Sequence, residues 1–86
     1  MYKIQLSTSA HKVFKKFQRE ERRKFDQVIN ILEIDPFNPK LKTHKLKGNK
    51  GERYSCSLNY KERILFMILL KNEILITDIG NNDDVY

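Results

Sequence analysis

Arg63-Ile64-Leu65-Phe66-Met67-Ile68-Leu69-Leu70 contains the longest apolar run of the chain, and its length decides how it is read. The run is far short of the roughly 20 residues that cross a bilayer. By periodicity an unbroken apolar run fits either a strand covered on both faces or a buried helix, and its short length and flanking turns favour the strand. Asn59-Tyr60-Lys61-Glu62 supplies the turn before it and Lys71-Asn72-Glu73 a tight turn after it. Arg63 to Leu70 is therefore expected to be a central strand, paired with a following strand from Ile74 to Ile79 that Gly80-Asn81-Asn82-Asp83 should break. Upstream, Tyr54, Cys56 and Leu58 alternate with Arg53, Ser55 and Ser57. That is the period-2 pattern of a strand near the sheet edge with one apolar and one wet face.

Towards the N-terminus, Tyr2, Ile4 and Leu6 alternate with Lys3 and Gln5 and predict another strand. Ser7, Thr8 and Ser9 follow, each able to cap a helix by offering its side-chain oxygen to an orphan backbone N–H. Ala10, Val13, Phe14 and Phe17 then recur at i, i+3, i+4 and i+7, with His11, Lys12, Lys15 and Lys16 on the other face. A charged junction, Gln18 to Lys24, is expected to lead into a second helix carried by Phe25, Val28, Ile29 and Leu32 and ending before Asp35-Pro36. Pro36, Asn38 and Pro39 mark a loop. Lys40 to Lys47 reads as an extended approach to the sheet and Gly48-Asn49-Lys50-Gly51 as a turn. The order predicts one α+β domain over residues 1–86: an N-terminal strand, a two-helix hairpin, then a three-strand antiparallel meander with the helices on one sheet face.

With 86 residues, 40% of them hydrophobic, and only three Gly and two Pro, the chain has the composition of a folded domain rather than a disordered one. The N-terminus has neither the apolar core nor the cleavage site of a signal peptide, and Cys56 stands alone, so no internal disulfide forms. Both features point to a reducing cytoplasm and away from a membrane. Gly48 to Gly51 has no P-loop spacing. Asp78 to Asp84 lacks the terminal Glu of a calcium loop, and His11, His44 and Cys56 have no zinc spacing. No metal and no cofactor is expected.

The formal net charge is +6, which favours an anionic partner. Between Lys40 and Arg63 lie Lys40, Lys42, Lys45, Lys47, Lys50, Arg53, Lys61 and Arg63, opposed only by Glu52 and Glu62. This segment carries the equivalent of the whole net charge, while Glu73, Asp78, Asp83 and Asp84 make the C-terminal part acidic. Such a concentration is either a solvated edge that keeps a small sheet from pairing with others or a track for phosphates. Tyr54 and Tyr60 interleave with the cations, as residues that stack on bases do, although the pattern around Tyr54 also suits the core. His44, among lysines, is a candidate for proton exchange near neutral pH. Arg63 is either a strand-end cation reaching water or a guanidinium that clamps phosphate.

Three stretches resemble the RelE/ParE superfamily of bacterial toxins, in particular the RelE and YafQ-like messenger-RNA interferases. Leu41-Lys42-Thr43-His44-Lys45-Leu46-Lys47-Gly48 is similar to the histidine, leucine and glycine signature ahead of the sheet. Tyr54 to Tyr60 with Arg63-Ile64-Leu65-Phe66 resembles the two middle strands and the arginine that opens the second. Asp78-Ile79-Gly80-Asn81-Asn82-Asp83-Asp84-Val85-Tyr86 resembles the closing motif. Together they cover essentially the whole chain.

The resemblance implies a cytoplasmic toxin that cleaves messenger RNA on the ribosome and is held inactive by a cognate antitoxin. It implies metal-independent attack of a ribose 2′-hydroxyl on the adjacent phosphate, with His44, Arg63 and Tyr86 as the catalytic group. Lys42, Lys45, Lys47, Arg53, Ser57 and Asn82 would bind the RNA. YafQ-like proteins carry histidine where Asn82 stands, and Ser57 occupies a position of histidine in YafQ and lysine in RelE. Two other readings stay open: a ParE-like gyrase poison, and a catalytically weakened toxin that only binds its antitoxin.

Overall fold

The computed structural model describes residues 1–46 and 52–81. In chain order these form β1 (Lys3–Leu6), α1 (Thr8–Lys15), α2 (Arg19–Ile34), a 3-10 turn (Pro39–Leu41), β2 (His44–Lys45), β3 (Arg53–Ser57), β4 (Glu62–Leu69) and β5 (Glu73–Asn81). The expected turn at Gly48–Gly51 lies outside the described residues.

The apolar run becomes β4, the middle of a five-stranded sheet ordered β1-β5-β4-β3-β2. Ile64, Leu65 and Phe66 are consecutive and all buried, so both faces of β4 are covered. β3 and β5 flank it antiparallel, and β1 pairs with β5 in parallel, Lys3 opposite Glu73 through Leu6 opposite Ile76. The α+β class with its helices on one side is as expected. One strand more than expected is present: β2 pairs His44 with Ser55 and Lys45 with Tyr54, giving the approach segment a two-residue place on the sheet edge.

Two further boundaries differ from expectation. Gln18 to Lys24 is no junction, because α2 begins at Arg19. Glu21 accepts a hydrogen bond from the Gln18 backbone N–H at 2.9 Å, which satisfies one orphan donor of the helix start. The apolar stripe begins only at Phe25, so periodicity alone misses the first, solvated turns. Nor does Gly80 break β5: Gly80 pairs with Arg63 and Asn81 with Glu62, so the ladder continues.

Of the three cap candidates, Ser7 is the one used. Its Oγ accepts from the Ala10 N–H at 3.1 Å and donates to the Thr77 carbonyl at 2.7 Å, pinning the start of α1 to β5. The helices join through Phe14, Phe17 and Phe25, whose ring centroids are 5.2–6.0 Å apart. Ala10, Phe25, Val28 and Leu32 pack with Cys56, Ile64, Phe66, Ile74, Ile76 and Ile79 into one core. Tyr54 belongs to this side, stacked on Phe66 at 5.7 Å and met edge-on by Phe37 at 5.3 Å.

Phe66, fully buried in the central strand, is expected to be the most costly single truncation. Phe66→Ala should lose about 3–5 kcal/mol, whereas Leu70→Ala, at an 88% exposed position, should stay within about 0.5 kcal/mol. Urea unfolding of both variants checks the contrast.

Candidate functional site

Cross-strand partners share a sheet face, so the register defines what lies opposite the helices. Three rows cross that face: His44, Ser55, Leu65 and Asp78; Arg53, Met67 and Leu75; and Ser57, Arg63 and Gly80. Leu65 is only 3% exposed yet stands apart from the helix-side core. Ser55, expected on a wet face, is fully buried, since His44 and Leu65 flank it across the strands and Arg53 and Ser57 along its own. A small buried floor is thus bordered by one imidazole and two guanidinium groups.

A bulge fixes the acidic side of this floor. Leu65 pairs with Asp78 but Phe66 pairs with Ile76, which leaves Thr77 as the extra residue on β5. The insertion lets Ile76 and Ile79 both face the core and turns Asp78 to the open face. There Asp78 Oδ2 lies 3.8 Å from Arg53 Nη1, with both side chains about 40% exposed. A pair this open is worth about 1 kcal/mol at most, so it orients Arg53 more than it stabilises the fold. The residue reading missed Asp78 as part of the site. Its only sequence signal is the spacing of Ile74, Ile76 and Ile79, which departs from strict alternation.

His44 is held by the turn before it. Asn38 Oδ1 accepts from the Lys40 N–H at 2.9 Å, Leu41 is buried, and Lys42 closes the 3-10 turn in the left-handed region at φ 53°. The Thr43 hydroxyl donates to the Pro36 carbonyl at 2.6 Å. His44 Nδ1 is 3.3 Å from the Lys42 carbonyl. In the tautomer that donates to that carbonyl, Nε2 carries the lone pair. Arg63, half-buried at the start of β4, lies opposite Gly80, where no side chain competes for the space. The Ser57 hydroxyl on its other flank donates to the Asn59 carbonyl at 3.1 Å.

The structure therefore gathers His44, Arg53, Ser57 and Arg63 on one face. It separates Lys45, which pairs with Tyr54 on the helix side of the edge and lies 3.4 Å from Glu52. Lys42 is exposed at the turn before the sheet. Lys47, Asn82 and Tyr86 lie outside the described residues.

No family model and no curated protein matches the sequence. Solved structures do match in fold. The RelE–RelB complex of the archaeon Pyrococcus horikoshii superimposes with a TM-score of 0.77 at 22% identity, over 93% of each chain. The YoeB dimer of Staphylococcus aureus gives 0.77 at 21% identity, over 94% of this chain and 97% of that one. The E. coli DinJ–YafQ toxin–antitoxin complex gives 0.78 at 16% identity, over 99% and 97%. This is the RelE/YafQ-like toxin fold.

In this RelE-like fold the lone cysteine lies beneath the candidate site and outside its chemistry. Cys56 points into the helix-side core, and burial pushes its thiol from 9.0 up to about 12, an effect that the Arg63 charge partly offsets. A thiol held protonated is a poor nucleophile. The folded protein should therefore resist iodoacetamide at neutral pH and react once denatured. Between pH 9 and 12 the folded chain keeps a proton that the unfolded chain has lost, so stability falls as pH rises through that window. Thermal melts of Cys56→Ala across the same range should show a shallower fall.

Proposed function

We propose that this chain is the toxin of a toxin–antitoxin pair and an endoribonuclease that cleaves messenger RNA on the ribosome. The observation that carries the reading is the convergence of His44, Arg53 and Arg63 on the sheet face away from the helices, over the buried floor of Ser55 and Leu65. Two of the fold relatives, RelE and YafQ, occur in complexes with a second protein, which supports a cognate antitoxin here. Ribosome-bound substrate implies a cytoplasmic site of action, and no described helix is long and apolar enough to cross a membrane.

The reaction is transfer of a phosphate linkage within the RNA. The ribose 2′-oxygen attacks the adjacent phosphorus, the bond from phosphorus to the 5′-oxygen breaks, and a 2′,3′-cyclic phosphate and a 5′-hydroxyl result. One group accepts the 2′-hydroxyl proton and another protonates the leaving oxygen. His44 and Tyr86 fill these two roles. Arg63 stabilises the negative charge that builds on the phosphorane, and bidentate contact makes a guanidinium suited to it. Arg53, oriented by Asp78, holds a neighbouring phosphate together with Lys42, Lys47 and Asn82.

Brief induction of the chain in bacteria, followed by mapping of RNA 5′-hydroxyl ends, tests the proposal. New ends inside coding regions are expected, falling about 100-fold or more in His44→Ala, Arg63→Ala and Tyr86→Ala. Growth arrest without new ends would replace it with gyrase poisoning. Unimpaired growth would leave an antitoxin-binding protein silenced by Asn82.

A further inference from the structure

Tyr60 is 89% exposed at the tip of the β3–β4 turn, and the site described above does not use it. The turn is closed by Asn59, whose Oδ1 accepts from the Lys61 and Glu62 N–H groups at 2.9 and 2.8 Å. Tyr60 lines two clefts, which share Lys24 and Asn59 and differ in charge. One, of about 370 Å³, is lined by Glu20, Glu21 and Glu62 against Lys24 and Lys61. The other, of about 340 Å³, carries Lys24, Lys40 and Lys42, with no carboxylate among the described residues that line it. Its floor is apolar, formed in part by Val28, Leu41 and Leu58.

The basic cleft adjoins the candidate site at two points. Lys42 lines it and offers its carbonyl to His44, and Ser57 lines it and pairs with Arg63. We propose that this cleft is a second RNA subsite, which receives a single-stranded nucleotide flanking the scissile bond, its base stacked on Tyr60 and its phosphates on Lys24, Lys40 and Lys42. The inference rests on the ribonuclease reading. An exposed aromatic ring beside a cationic groove is what sequence-tolerant single-strand binding requires. The other cleft, with three carboxylates against two lysines, is the less favourable of the two for phosphate.

The test is binding of a fluorescent 2′-O-methyl oligoribonucleotide of about ten nucleotides, which the full chain cannot cleave, followed by anisotropy over a range of salt. Tyr60→Ala should weaken binding about five-fold or more, with Tyr60→Phe close to the unchanged chain. Lys40→Gln should lower the salt slope by about 0.7, the value for one phosphate on a single strand, while Lys61→Gln, the same charge change on the acidic side, should leave it unaltered. Tyr60, Lys40 and Lys61 are exposed, and thermal melts confirm that each variant folds. If the unchanged chain binds and Tyr60→Ala and Lys40→Gln bind equally well, the subsite is overturned while the ribonuclease reading stands, and the cleft passes to a polypeptide partner. If the unchanged chain binds no RNA while 5′-hydroxyl ends still form in cells, the subsite alone falls. Absence of both removes the two together.

Discussion

Ile64, Leu65 and Phe66 follow one another in β4 and all are buried, although neighbours in a strand point to opposite faces. That constraint shapes the rest of the molecule. Ile64 and Phe66 are covered by the helix hairpin through Phe25, Val28 and Leu32. Leu65 has no helix on its side. It is buried in a field of strand positions that includes His44, Arg53, Arg63, Met67 and Asp78, whose side chains share its face. The groups available for chemistry are thus the same groups that shield the second face of the central strand, and the buried floor beneath them limits how far they can shift.

The β5 bulge makes this arrangement possible. With strict alternation, Ile76 and Asp78 would share a face, and either a carboxylate would enter the core or an isoleucine would leave it. Burying an unpaired carboxylate is far more costly than one irregular backbone step. Thr77 takes up the extra residue and donates to the Leu65 carbonyl at 3.4 Å, while Asp78 emerges opposite Arg53. A feature that serves the core therefore also sets the electrostatics of the open face. Ser7, anchored on the Thr77 carbonyl, links the start of α1 to the same place.

Charge is sorted by surface as well as along the chain. The basic segment is divided by the sheet: Arg53 and Arg63 go to the open face, Lys45 to the helix side of the edge, and Lys40 and Lys42 to the cleft beneath Tyr60. Lys24, from a different part of the sequence, joins that cleft, and Glu20 and Glu21, one turn earlier on the same helix, line its acidic neighbour. Helical spacing places residues three to four apart side by side, so a single turn of α2 sets the boundary between the two clefts.

Alternation was enough to read β1 and β3, an unbroken apolar run between turns to read β4, and helical spacing to read both helices, because each of those signals is local. The start of α2 was not legible, since its first turns are solvated and carry no apolar stripe. His44 and Arg63 entered as a pair only through resemblance to the RelE-like toxins; eighteen intervening residues hide that β2 and β4 lie on either side of β3. The sequence by itself determined which segments bury apolar surface, that the middle of the chain is cationic, and that one cysteine has no partner. Only the tertiary structure decided that β1 runs parallel beside β5, that Thr77 is a bulge, that Ser55 is buried and that Lys45 faces away from His44. Those outcomes depend on pairing between segments far apart in the chain, where a shift of one residue reverses the face of every side chain, and no local pattern fixes that shift.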